Sequence, residues 1–327
     1  MDEINRNLFR ARLPLVLVLV LLFVTSVGLM IRMPWSGRVA TAIFDLLHAP
    51  VFCIVAWTLM WLVRPTIQKK NVQLRLVLAL VLILFGAVAE FAQQFVGRNT
   101  SWHDLVANCM GVAAGYLIFA WLVRRQQQFA FVPLVAGIII LLAAVRPAVT
   151  ELIDCARVRS QFPLLDSFEN GHAGWHSSEA IVETIHDPQL ATHGDYVLRW
   201  HLEAGQYPGC QMYEPPRDWS GFERLEFDIR LASDSPVDEL TVVLKLHDRP
   251  HRTEFGYDFE DRFHRDLSLF RGEWQQIAID LVDIETAPAT RTMDLTQMDV
   301  LQIFAIDQGQ SATVFIDHVR LTKRTEP

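Results

Sequence analysis

Residues 76–123 read LVLALVLILFGAVAEFAQQFVGRNTSWHDLVANCMGVAAGYLIFAWLV. Two apolar runs, each near the roughly 20 residues that a membrane-crossing helix needs, flank a stretch holding Glu90, Gln93, Arg98, His103, Asp104 and Asn108. The polar stretch predicts the end of one helix, a tight turn and the start of the next. Glu90 and Gln93 are three apart, Asp104 and Asn108 four apart, so each pair shares a helix face. Gly111 and Gly115 extend the second stripe, and small residues let helices approach closely in lipid. The spacing predicts a close hairpin between these two helices, with the polar side chains at its mouth.

Outward from this hairpin, five apolar stretches qualify as spans: about 13–31, 43–63, 76–96, 104–123 and 129–147. The first is long for a signal peptide and no small-residue cleavage site follows it. Arg6, Arg10 and Arg12 precede it; Arg64, Lys69, Lys70 and Arg75 join the second span to the third, and Arg124 and Arg125 the fourth to the fifth. The alternate loops carry only Arg32, Arg38 and Arg98, so the positive-inside rule predicts a cytoplasmic N-terminus and an extracytoplasmic C-terminal half. Asp45 and His48, at the start of the second span, fall at the level of Glu90, Arg98 and Asp104. Ionisable groups at membrane depth face a bundle interior and find partners. This set is either an acid/base and headgroup-binding site or a staple that holds the bundle. It includes no HExxH, no phosphate-cradling glycine loop and no nucleophile motif.

The 327 residues carry a formal charge of −8 and only four cysteines. The acidic excess lies mostly after residue 150 and argues against nucleic acid as a partner. Cys53 and Cys109 sit in apolar runs; Cys155 and Cys210 lie outside them and could pair in an oxidising compartment. The composition break divides the chain into a membrane domain over 1–150 and a second domain over 160–327. There the period switches to two, as in VLRWHLEA (197–204), ERLEFDIRLA (223–232), LTVVLKLHD (240–248) and ATVFIDHVRL (312–321), with turn signals such as EPPRDWSG (214–221) between. Many short strands of this kind predict an antiparallel β-sandwich or jelly roll. The fold class expected is therefore an α-helical membrane bundle followed by an all-β sandwich.

Residues 247–269, HDRPHRTEFGYDFEDRFHRDLSL, are the most polar link between two good strands. His247, Asp248, His251, Tyr257, Asp261, Arg262 and His264 are candidate ligand-binding residues, since loops on a rigid scaffold carry such sites. A solvated hairpin with local ion pairs is the alternative. Trp175, Trp200, Trp219 and Trp274 are expected to pack in the core or at its edge.

Two resemblances attach to these motifs. Glu90, Gln93, Arg98, Ser101, Asp104, Asn108, Gly111 and Gly115, with Asp45 and His48 upstream, resemble the pattern of the VanZ-like membrane family over about 40–120. Leu46 stands where that family has lysine. The resemblance implies a protein of the bacterial cell (inner) membrane and envelope, from a family whose name-giving member is linked to glycopeptide antibiotic tolerance. LLDSFENGHAGWH (164–176) and TVFIDHVRL (313–321) resemble the opening and closing strands of carbohydrate-binding or galactose-binding-type jelly rolls. That resemblance implies a structural calcium at Asp166, Glu169 and Asp317; turn carboxylates are the competing reading. Together these readings favour a non-enzymatic envelope protein that binds glycan through its sandwich and lipid through its membrane domain. The alternative is a membrane enzyme or lipid-handling protein acting on an anionic headgroup.

Overall fold

The computed structural model describes Val20 and residues 37–62, 72–93, 102–172, 174–256 and 258–323. The chain divides into two units, 1–152 and 153–327.

In the first unit, helices α1 (Arg38–Leu62), α2 (Val72–Gln93), α3 (Trp102–Arg124) and α4 (Phe131–Gln161) account for four of the expected spans. All four are long and apolar enough to cross a membrane. The span expected over 13–31 lies outside the described residues, as do Arg98, Ser101 and the Gln93 side chain. α2 exposes Leu76, Leu80, Leu84, Val88 and Phe91, and α4 exposes Val132, Val135, Ile139 and Leu142. Apolar faces of this extent need a non-aqueous neighbour. Two helices outrun their apolar windows. α1 begins at Arg38, whose Nε donates to Glu151 Oε1 of α4 at 2.7 Å, and α4 continues through a polar final stretch to Gln161. Hydropathy measures bilayer thickness, whereas hydrogen bonding carries the helix further.

The glycine stripe of α3 corrects the expected hairpin. A Cβ on Gly111 would stand 2.3 Å from Ala49 O, and one on Gly115 2.3 Å from Cys53 O, both on α1. The closest backbone approach of α3 is thus to α1 and not to α2. α2 meets the pair through Gly86, which abuts the Phe52 ring and Asn108 Cβ.

In the second unit every strand pairing is antiparallel. The strands are β1 (Leu164–Asp166), β2 (Trp175–Ser178), β3 (Ala180–His186), β4 (Tyr196–Leu202), β5 (Gly209–Tyr213), β6 (Arg224–Leu231), β7 (Glu239–Asp248), β8 (Phe263–Phe270), β9 (Trp274–Asp280), β10 (Met298–Phe304) and β11 (Ala312–Thr322). One sheet has the order β3-β4-β11-β6-β9, with β1 also on β11; the other runs β2-β5-β10-β7-β8. Alternation puts Leu198, Trp200, Leu202, Phe227 and Ile229 of the first sheet against Val242, Leu244, Leu246, Leu301 and Ile303 of the second, in one buried core. Trp175, Trp200 and Trp219 belong to that core, and half-buried Trp274 donates to Leu190 O at 3.1 Å. In β11 a register shift between Asp317 and Arg320, with His318 at φ 50°, changes the phase. Val314 and Ile316 before it, and Val319 and Leu321 after it, therefore all face the core. None of the four cysteines forms a disulfide.

Candidate functional site

The membrane unit assembles its polar residues from three helices. His48 of α1, Glu90 of α2 and Asp104 and Asn108 of α3 are all buried. His48 Nε2 lies 3.4 Å from Glu90 Oε1, and Asn108 Nδ2 donates to the same oxygen at 3.4 Å. His48 Nδ1 is 3.0 Å from Phe44 O and 3.9 Å from Asp104 Oδ1. Among the described residues, Asp45, His48 and Asp104 form the one group of three side chains whose ligand atoms all lie within 4.8 Å, a geometry able to hold a metal ion. Among the described residues, Glu90 Oε2 and Asn108 Oδ1 make no hydrogen bond, and His48 Nε2 has only the 3.4 Å approach of Glu90 Oε1. Buried polar atoms without partners are costly, so those that persist call for an explanation. Spacing within the polar stretch foretold this meeting; the glycine packing of α3 on α1 makes it close.

In the sandwich, the 247–264 segment is tied down from a distance. Asp248 caps the short helix α5 (Arg249–Thr253) by accepting from His251 N at 3.2 Å. A short 3-10 turn, Phe259–Asp261, follows. Arg291, some 30 to 43 residues downstream, clamps both carboxylates. Its Nη1 and Nη2 reach Asp248 at 2.6 and 2.7 Å, and its Nε and Nη2 reach Asp261 at 2.6 and 2.7 Å. Phe255 covers the guanidinium at 4.7 Å. The two carboxylates push the Arg291 pKa up, and hydrogen bonds from Arg291 are the main cause holding Asp261 below its ordinary value. His251 is buried with Nδ1 2.8 Å from Asp261 O. Asp248, His251 and Asp261 thus face one another and Arg291, while Tyr257 lies outside the described residues. No local spacing points to Arg291.

Arg262 and His264 belong to a different surface, and His247, on that same face by alternation, also meets the clamp group, its ring 4.5 Å from that of His251. Because Leu244, Leu246 and Phe263 point into the core, their neighbours in the alternation point outward. Register then aligns a row across all five strands: His176 opposite Gln211, Gln211 opposite Gln302, Gln302 opposite Lys245 and Lys245 opposite His264. Val243, Val300 and Phe304 are on this same outer face, yet each is at least nine-tenths buried and forms an apolar floor. Exposed Tyr207, Tyr213 and Phe259 flank it: Tyr207 meets Phe304 at 6.2 Å, Tyr213 meets His176 at 5.7 Å, and Phe259 meets His264 at 4.5 Å. Lys245 Nζ donates to Gln302 Oε1 at 3.1 Å, and Gln211 Nε2 to the Tyr213 hydroxyl at 2.8 Å. Burial lowers the Lys245 pKa to about 8, helped by nearby Arg262, and lowers that of His247 to about 4. Gln211, Lys245 and Gln302 escaped sequence reasoning, because each is only one polar residue in an alternating strand until register aligns them.

The carboxylates expected to share calcium each accept hydrogen bonds from backbone N–H groups. Asp166 accepts from Phe168 N at 2.8 Å and Trp175 Nε1 at 3.0 Å, and burial raises its pKa to about 7. Glu169 accepts from Asp195 N and Tyr196 N, both at 2.9 Å. Asp317 accepts from Thr192 N at 2.7 Å and His193 N at 2.9 Å. Glu169 and Asp317 therefore pin one and the same loop before β4. These three do not form a group of ligand atoms within 4.8 Å among the described residues.

No family model and no curated protein matches the chain. Among solved structures, the chain is similar to the family 11 carbohydrate-binding module from Clostridium thermocellum, at 17% identity and a TM-score of 0.39, over 50% of this chain and 96% of that one. A family 30 carbohydrate-binding module of a Clostridium thermocellum cellulosomal cellulase matches at 16% identity and a TM-score of 0.36, over 47% and 93%. An exo-beta-agarase matches at 18% identity and a TM-score of 0.40, over 50% of this chain but 25% of its own length.

Proposed function

We propose that this is an integral membrane protein of the bacterial cell envelope whose β-sandwich binds glycan on the outer face of the β2-β5-β10-β7-β8 sheet. One observation carries the reading: a five-strand polar row over a buried apolar floor, flanked by exposed aromatic rings. Amides and an ammonium hydrogen-bond sugar hydroxyls, while aromatic faces cover the apolar side of a sugar ring. The charge bias of the loops supports an extracytoplasmic position for this domain, on the side where envelope polysaccharide lies. The full chain, solubilised in detergent, should retain polysaccharide or cell-wall fragments on a broad glycan panel. Gln302→Ala should weaken that binding by about tenfold, the loss of one or two good hydrogen bonds. Running the panel with calcium and with a chelator tests an ion at Asp166, Glu169 and Asp317. No retained glycan on the calcium-supplied panel would sink the reading.

The buried Glu90 Oε2 and Asn108 Oδ1, without a hydrogen bond among the described residues, favour a second reading, in which the membrane cluster engages a lipid headgroup. The VanZ-like pattern at these positions supports it, with Arg98 as the cation for an anionic headgroup. Purified protein should then carry anionic phospholipid detectable by mass spectrometry, and both Glu90→Gln and Arg98→Ala should shed it at unchanged yield. If yield collapses and lipid content per molecule stays constant, the cluster is a staple.

A further inference from the structure

The proposed glycan face carries two cations with no acid to answer them. Lys245 and Arg262 are half-buried on the same outer face and close enough for the Arg262 charge to disfavour that of Lys245. Among the described residues, Lys245 Nζ makes one hydrogen bond, to the neutral amide of Gln302 at 3.1 Å. The Arg262 guanidinium lies over the Phe259 ring at 4.5 Å, and its Nε is buried without a hydrogen-bond partner among the described residues. Neither side chain is within ion-pair distance of a carboxylate among the described residues, although most other cations of the sandwich are: Arg199 with Glu183, Arg224 with Asp280, Arg252 with Asp299, Arg265 with Asp283, Arg271 with Asp238, Arg291 with Asp248, Arg320 with Glu226. Burial lowers the pKa of both Lys245 and Arg262, the mark of a charge removed from water without compensation. His247 and His264 stand beside them, with His176 at the far end of the row, three strands from Lys245; on β7 and β8 the acids of this face, Asp266 and Glu239, lie further along, opposite Val243 and Phe270. In a chain of net charge −8, a local pair of cations without an ion pair among the described residues stands out from its surroundings.

We infer that the face selects an anionic saccharide, one bearing carboxylate or sulfate groups, with Lys245 and Arg262 receiving the charge beside the neutral Gln211–Gln302 row. This rests on the glycan reading above and narrows its ligand. Arg262 offers a planar fork to a carboxylate or sulfate, and Lys245 a point charge one strand away.

The test uses the full chain in detergent with four probes: a polyuronate, the same polymer after carboxyl reduction, inorganic sulfate as competitor, and a DNA oligonucleotide. The polyuronate is expected to bind at least about tenfold more tightly than its reduced form, in line with a charge-assisted bond, and to weaken as salt is raised. Millimolar sulfate should compete. The double variant Lys245→Gln, Arg262→Gln should keep its melting temperature and bind the two polymers equally. Equal binding of both polymers by the native chain would overturn the charge preference and leave the glycan reading standing. Retention of neither would overturn the glycan reading itself. DNA binding as tight as the polyuronate would also overturn the proposal, since charge alone would then explain the site.

Discussion

Arg291→Met should destabilise the sandwich by about 3–5 kcal/mol, because it leaves two buried carboxylates facing each other without their cation. The Asp248 side chain is 0% exposed and that of Asp261 4%, and Arg291 supplies both with paired bonds of 2.6–2.7 Å. Asp248 also accepts from Asp294 N at 2.8 Å, so the charge cannot swing out to water without releasing the 291–295 loop. Thermal unfolding followed by near-UV circular dichroism should show the transition fall by about 10 °C or more. Arg291→Lys should not rescue it, since an ammonium cannot fork to two carboxylates at once. The triple variant Arg291→Met, Asp248→Asn, Asp261→Asn should recover much of the loss, because removing all three charges together removes the uncompensated ones. A single-variant shift below about 1 kcal/mol, the range of an exposed ion pair, would mean that the clamp holds nothing.

That clamp also marks where sequence reasoning stops. Strand periodicity located the sandwich because β6 alternates cleanly, β4 and β7 nearly so, and their apolar members meet in the core. The polarity of 247–269 is equally visible, but polarity alone does not separate a binding loop from a buried ion network. The partner that decides the matter for Asp248 and Asp261 is far along the chain, in a segment with no motif. The five-strand row fails to show for a related reason. His176, Gln211, Lys245, His264 and Gln302 are brought together by strand order β2-β5-β10-β7-β8, which no local pattern encodes. The membrane cluster was far more legible. An ionisable residue inside an apolar run is conspicuous at once, and helical spacing already puts Asp104 and Asn108 on one face. What spacing withheld was the partner of the α3 glycines.

Gly111→Leu should break the packing of α1 on α3, and Gly111→Ala should already be harmful. The Cβ of alanine would stand 2.3 Å from Ala49 O and 3.0 Å from Ala49 Cα, and these are backbone atoms that cannot rotate away. α1 must therefore retreat as a body, and His48, one residue before Ala49, retreats with it from Asp104 and Asn108. Gly86 provides the control: its added Cβ would meet the edge of the Phe52 ring at 3.1 Å, a side chain that can turn. Overpacking in a tight interior costs about 1–3 kcal/mol, and in lipid the close backbone approach is itself what holds helices together. In detergent, the temperature at which half the protein aggregates should thus fall in the order Gly86→Ala, Gly111→Ala, Gly111→Leu, the last with the largest drop. The lipid-binding reading gains a second check, because Gly111→Ala should shed bound phospholipid although it touches no polar side chain. If Gly111→Ala and Gly86→Ala prove equally stable, α3 does not pack on α1 through its glycines, and the geometry that gathers His48, Asp104 and Asn108 loses its cause.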